Sequence, residues 1–151
     1  MAATSPPDWW RDRAWWLALT LAVPVALLLI VARQRGVAMD FRGSWWMFVL
    51  VFPVLEELVF RGLIQGYLRR YSFLRDVPWW QISYASLITS LLFAAAHLLR
   101  PGDQVAALWA ASTFAPSLVF GWARDRYGRV DAAIALHIAY NAGFAVVVSV
   151  Q

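Results

Sequence analysis

The chain contains no cysteine and no lysine. The absence of cysteine excludes a disulfide framework and a thiolate metal site, and leaves cysteine usage silent about redox compartment. The absence of lysine makes all 13 basic residues arginine. These arginines sit in short clusters between apolar stretches, as expected of loops flanking membrane spans rather than of a nucleic-acid-binding face. Charge is scarce as well, at 15% of residues against 62% hydrophobic. So apolar a composition is too high for an ordinary soluble domain of 151 residues. The length implies a single domain over residues 1–151.

What is present is apolar length. Five segments, about 14–32, 45–68, 80–99, 104–123 and 130–150, each approach the roughly 20 residues needed to cross a hydrocarbon core. None shows the period-two alternation of a barrel strand. The reading is an all-α polytopic membrane helix bundle of about five transmembrane helices, in contact with the lipid bilayer. Segment 14–32 is long for a signal-peptide core and is followed by Arg33-Gln34-Arg35 rather than by small residues. It is therefore expected to be retained, as an additional first helix before a core at 45–150. Tryptophan occurs in four adjacent pairs near span starts, Trp9-Trp10, Trp15-Trp16, Trp45-Trp46 and Trp79-Trp80, which suits an interfacial aromatic belt. Gly62 and Gly66 form a GxxxG expected to serve close helix packing within the monomer. Arginines flanking the spans divide eight to four between the two sides, which favours a cytoplasmic N-terminus.

Three more scarcities locate the chemistry. There are two glutamates, two histidines and one asparagine, and every one falls inside an expected span. Ionisable and amide groups are costly there and mark polar interiors. Glu56 and Glu57 are adjacent, and Arg61 follows Glu57 by four residues, the favourable order for a helical ion pair. Glu56 points about 100° away from Glu57 on a helix and is left without that partner. Pro53 is expected to bend the helix beside the pair. His137 and Asn141 share a face four residues apart, as do Phe93 and His97. A carboxylate with a histidine can hold and deprotonate a water, while a second histidine and an amide can donate to an oxyanion. Tyr84, Ser86, Thr89, Ser90, Ser112, Thr113 and Ser117 read as interhelical hydrogen-bonding groups.

The motifs read EExxxR (Glu56-Glu57-Leu58-Val59-Phe60-Arg61), FxxxH (Phe93 to His97) and HxxxN (His137 to Asn141). In that order they resemble the three motifs of the CAAX-protease and bacteriocin-processing (CPBP, or Abi) family of intramembrane endopeptidases, over about residues 45–150. The resemblance implies a bacterial cytoplasmic-membrane protease acting on a membrane-embedded or membrane-anchored protein or peptide. It implies catalytic roles for Glu56 with His97 in activating water, and for His137 and Asn141 in the oxyanion site. Glu57, Arg61 and Phe93 would support them. The family has been described both as metal-independent glutamate proteases and as metalloproteases. A zinc ion, if used, would fall to Glu56, His97 and His137, a His₂Glu set. The absence of an HExxH signature favours no cofactor. The compact length is similar to members linked to C-terminal sorting signals, including a JDVT-CTERM-associated type.

Two other classes fit the same residues: a non-catalytic membrane scaffold or regulator of the same fold, and a proton or ion pathway. One geometric problem is also legible. The third and fifth helices should run parallel, yet His97 lies near the end of one and His137 near the start of the other. That implies a depth mismatch on the order of 15 Å.

Overall fold

The computed structural model describes residues 8–36, 44–76, 81–99 and 106–149. Among the described residues the regular structure is helical. A 3₁₀ turn, Trp9–Arg11, leads into α1 (Arg13–Thr20) and α2 (Ala22–Gln34). A second long helical stretch joins a π segment π1 (Met47–Val51), α3 (Phe52–Glu57), a π segment π2 (Leu58–Gln65) and α4 (Gly66–Leu68). The short α5 (Ser72–Arg75) precedes α6 (Tyr84–His97), α7 (Ala106–Tyr127) and α8 (Asp131–Ser149).

Local chemistry explains the breaks. Pro24 cannot supply the N–H that Thr20 would receive, and the first helix is interrupted at Leu21. Ser83 caps α6 by accepting from the Ser86 backbone N–H at 3.0 Å, and its own N–H donates to Asp125 at 2.9 Å. That cap starts α6 at Tyr84, later than the expected residue 80. The Trp79-Trp80 pair lies outside the described residues. Helix α7 continues past the expected 123 through the charged Arg124-Asp125-Arg126 and ends at Gly128, whose φ of 68° terminates the helix in the left-handed region.

The interior holds polar as well as apolar side chains, while the outside is largely apolar. Glu57, Arg61, Gln65, Ser83, Ser86, Thr89, Ser90 and Ser117 have no exposed surface, whereas Leu28, Leu63 and Leu99 are each more than two-thirds exposed. That placement is expected where the solvent is lipid. Among the described residues two helical stretches, Arg13–Gln34 and Asp131–Ser149, are long and apolar enough to span a membrane. The 14-residue α6 covers only about 21 Å at 1.5 Å per residue.

Helices α1 and α2 run in the same direction as α8. Trp15 Nε1 donates to Ala132 O at 3.2 Å near the start of α8, and Arg33 donates to Val147 O and Val148 O at 2.9 and 3.0 Å near its end. Trp15 is therefore buried, packing with Phe120, Leu136 and Tyr140, while Trp10, Trp16, Trp45 and Trp46 keep the exposed placement expected of a belt. Asp12 ties the same end together. It caps Ala14 N at 2.9 Å, pairs with Arg126 at 2.9 Å and accepts from Tyr127 Oη at 3.1 Å. The Ala14 N–H, foremost, and the bonds from Arg126 and Tyr127 hold its carboxyl below the usual 3.8. A depressed carboxyl stabilises the fold above its ordinary value and loses that contribution as pH falls through the lowered one. Acidification below about pH 4 is therefore expected to lower the melting temperature, and Asp12→Asn to blunt that acid-dependent component. An identical acid profile for wild type and variant would contradict the role.

Close helix packing falls on a different glycine from the expected pair. A Cβ on Gly62 or Gly66 would meet its neighbours at ordinary distances of 3.8 Å or more. A Cβ on Gly121 would overlap Ser86 Oγ and lie 3.1 Å from Ser86 Cβ, where α7 crosses α6. Gly121→Ala is expected to destabilise by about 1–3 kcal/mol through overpacking. The added Ser86→Gly change should recover most of it in thermal unfolding in detergent. Unchanged unfolding of the single variant would count against this packing.

Candidate active site

The second helical stretch turns one stripe of residues inward. Pro53, Glu57, Arg61 and Gln65 are all buried, a strict repeat of four. On an ideal α-helix that repeat drifts by about 40° per step and leaves one face after three steps. The π2 segment, with its i→i+5 winding, lengthens the turn and holds the stripe inward. The interruption is thus what keeps Gln65 in line with Glu57.

The stripe meets α6, α7 and α8. Arg61 Nε donates to Glu57 Oε2 at 3.2 Å. Its Nη2 donates to Ser117 O at 2.9 Å and to Ser117 Oγ, and its Nη1 reaches Ser90 Oγ at 3.5 Å. The guanidinium also stands 5.8 Å from the Phe93 ring centroid. Ser90 and Ser117 do act as interhelical groups, whereas Thr89 and Thr113 bond within their own helices. One turn farther along, Gln65 donates to Gly121 O at 3.1 Å and to Asp125 at 2.9 Å, and Arg69 pairs with the same carboxylate.

His137 stands between the two glutamates. Its Nδ1 is 3.0 Å from Glu57 Oε1, and its Nε2 is 3.6 Å from Glu56 Oε2. The 100° offset between adjacent residues, which separates Glu56 from Arg61, is what lets both carboxylates approach one ring. Burial differs sharply. Glu57 is fully buried and the His137 side chain is 7% exposed, but the Glu56 side chain is 34% exposed. The imidazole is fixed in angle by Phe120, stacked at 4.6 Å with 19° between planes, and by Phe93, edge-on at 5.9 Å. Glu57 is fixed by Arg61 and accepts from His137 Nδ1–H, so Nε2 is the nitrogen that faces Glu56.

Phe93 also contacts His97, with ring centroids 4.8 Å apart. His97 Nδ1 donates to Phe93 O at 2.9 Å, because a carbonyl can only accept. Neutral His97 therefore carries its lone pair on Nε2. The late start of α6 shortens the expected depth mismatch by about 6 Å and does not remove it. Phe93, one turn before His97, stands between the two imidazoles, its ring centroid 4.8 Å from that of His97 and 5.9 Å from that of His137. Asn141 Nδ2 donates to Phe48 O at 2.9 Å.

Glu56, Glu57, Arg61, Phe93, His137 and Asn141 thus lie where the second helical stretch meets α6 and α8, and His97 joins them through its contacts with Phe93. Phe120, Ser117, Ser90 and Phe48 complete the surroundings. Aromatic and serine side chains on apolar helices carry no distinguishing pattern, so only the scarcity of Glu, His and Asn marked the site. Among the described residues, no three His, Asp or Glu converge as a metal-binding set. Both Nδ1 atoms are engaged, by Glu57 and by Phe93 O, which leaves the two Nε2 atoms as the ring donors a metal would need, and these do not converge with Glu56 into a His₂Glu set.

A family model described as type II CAAX prenyl endopeptidase Rce1-like matches residues 38–143. No curated protein and no solved structure matches the chain. The matched region exceeds half of the sequence and encloses Glu56, Glu57, Arg61, Phe93, His97, His137 and Asn141. The chain belongs to the Rce1-like family of type II CAAX prenyl endopeptidases, a membrane-embedded family of proteases.

Proposed function

We propose that the protein is an intramembrane endopeptidase that hydrolyses a peptide bond in a membrane-anchored protein or peptide. The observation that carries the reading is the partly exposed Glu56 carboxylate, 3.6 Å from an imidazole whose other nitrogen is tied to the buried Glu57–Arg61 pair. A separation of 3.6 Å is long for a direct hydrogen bond, and a modest opening of the pair on its exposed side would seat a water between the two groups. In this mechanism Glu56 takes a proton from that water as its oxygen attacks the substrate carbonyl carbon. His137 carries a proton on both ring nitrogens in this step, Nδ1–H held by Glu57 and Nε2–H donating to the developing oxyanion. Glu56 then passes the proton to the leaving amine, and carboxylate and amine products separate. His97 Nε2 assists in orienting the water. No step is routed through a metal.

The five helical stretches are read as embedded in a bacterial cytoplasmic membrane with the N-terminus inside. The exposed side of Glu56 is where the substrate arrives. The direct test is incubation of the purified protein, in lipid bicelles, with a library of peptides each carrying one transmembrane segment and a flanking extension. Mass spectrometry should find discrete cleavage near a membrane boundary. Cleavage should survive prior dialysis against o-phenanthroline. Loss on chelation, restored by zinc, would overturn the metal-free mechanism. Absence of any cleavage, with proton flux in proteoliposomes instead, would replace the protease reading.

A further inference from the structure

We propose that Asn141 is a positioning residue, which sets the glutamates against His137 by filling a backbone carbonyl that Pro53 cannot serve. In π1 the bonds run from residue i+5 to residue i, as the Phe52 N–H donating to Met47 O shows. The next bond in that winding would run from residue 53 to Phe48 O. Residue 53 is proline and has no N–H to give. The donor at Phe48 O comes instead from α8, as Asn141 Nδ2–H at 2.9 Å. The amide must present its nitrogen, because a carbonyl accepts and never donates. In a hydrocarbon surrounding, where water cannot substitute, a side chain from a neighbouring helix is the available remedy for a proline-freed carbonyl. Phe144, three residues beyond Asn141, packs its ring 5.4 Å from that of Phe48 and reinforces the same contact.

The position of this latch gives it a consequence. Pro53 precedes Glu56 by three residues and Asn141 follows His137 by four. The accepting Phe48 O lies eight residues, about two turns, before Glu56, so one hydrogen bond joins the helix two turns ahead of the carboxylates to the turn after the imidazole. A shift of α8 along the second stretch would move Nε2 off Glu56, and displacements of about 1 Å at reacting groups can cost on the order of 100-fold in rate. The substitution that cures the cause should cure the effect. Pro53→Ala restores a backbone N–H, so Phe48 O no longer depends on Asn141.

The test compares wild type, Asn141→Leu, Pro53→Ala and the double variant, by thermal unfolding in detergent and by peptide cleavage. The kinetic arm rests on the protease reading, and the unfolding arm does not. With Pro53 present, Asn141→Leu is expected to lower kcat by about 10- to 100-fold and change KM by less than about threefold, and to lower the Tm by several degrees. In the Pro53→Ala background, the same substitution should cost less than about a third of that Tm shift, and kcat should lie within a few-fold of Pro53→Ala alone. Recovery of folded double variant where Asn141→Leu alone does not fold is the same rescue. Equal losses in both backgrounds would overturn the proposal and assign Asn141 directly to the oxyanion. A Pro53→Ala chain that fails to fold would overturn it as well. If wild type cleaves no peptide, the protease reading fails and the unfolding cycle alone decides the latch.

Discussion

Glu56→Gln is expected to reduce peptide cleavage by about a hundred- to ten-thousandfold while leaving the fold intact. Glutamine keeps the shape and polarity of the side chain but cannot take the proton, and general base catalysis is commonly worth about 10²–10⁴-fold. Stability should be nearly unaffected, because Glu56 is one-third exposed and lies beyond direct hydrogen-bond distance of His137. The Tm should stay within about 2 °C of wild type, on the scale of a surface substitution. Glu56→Asp provides a graded control. It retains the base but withdraws it by one methylene, and an intermediate loss in kcat is expected. Retention of full activity by Glu56→Gln would remove the base from the mechanism.

Glu57→Met is expected to have the opposite signature, a large loss of stability from a residue only one position away. Its carboxylate is fully buried and answers both Arg61 and His137. Removing one partner of a buried pair typically costs about 3–5 kcal/mol, because the other charge stays behind without compensation. Against a total stability of about 5–15 kcal/mol, that loss should show as poor recovery or a sharply lowered Tm. Replacing both members, Glu57→Met with Arg61→Met, should recover much of the stability, since buried pairs exchanged for apolar residues of similar volume are often neutral. Activity should not return with it, because His137 then lacks the carboxylate that holds its Nδ1. A double variant as active as wild type would reduce Glu57 to charge balance alone. A single variant as stable as wild type would contradict the buried pair itself.

These two expectations divide a motif that reads as one unit. Scarcity made the unit visible. With two glutamates, two histidines and one asparagine in the whole chain, their placement inside apolar segments marked the site before any geometry was known. The apolar segments themselves anticipated the helices, and 45–68 and 130–150 agree with the observed stretches to within a residue or so at most ends. What the pattern could not carry was winding. A repeat of four at Pro53, Glu57, Arg61 and Gln65 drifts off a face in an α-helix, so Gln65 did not read as part of the stripe. Only the π2 segment makes it so. The start of α6 was hidden by the apolar residues that precede Ser83. The capping contact with Asp125, 42 residues away, set it instead.

The partners of His137 were hidden for a related reason. Spacing along one helix says which residues share a face, but not which residue of another helix meets them. The placement of Glu57 on Nδ1 and Glu56 toward Nε2 is a tertiary fact, as is the stacking of Phe120 on the ring. Asn141 is the clearest instance. Its four-residue spacing from His137 suggested two donors for one oxyanion and carried no sign that one N–H of the amide bonds Phe48 O, whose helical partner position is held by a proline. Apolar length also overstated α6. The segment 80–99 reads as a full span, whereas the helix itself has 14 residues, and two stretches meet the length and hydropathy of a span among the described residues.

In the proposed mechanism Glu56 activates water for attack on a peptide carbonyl, with no covalent intermediate on the protein. The sharpest test is to cleave a transmembrane peptide in water enriched in ¹⁸O and to weigh both products. One ¹⁸O atom is expected in the new carboxylate of the N-terminal fragment after a single turnover, with an unlabelled amine fragment and no adduct on the protein. About a hundred- to ten-thousandfold less product is expected from Glu56→Gln under the same conditions. A trapped acyl-protein species, or labelled product formed equally well by the Glu56→Gln variant, would rule the mechanism out.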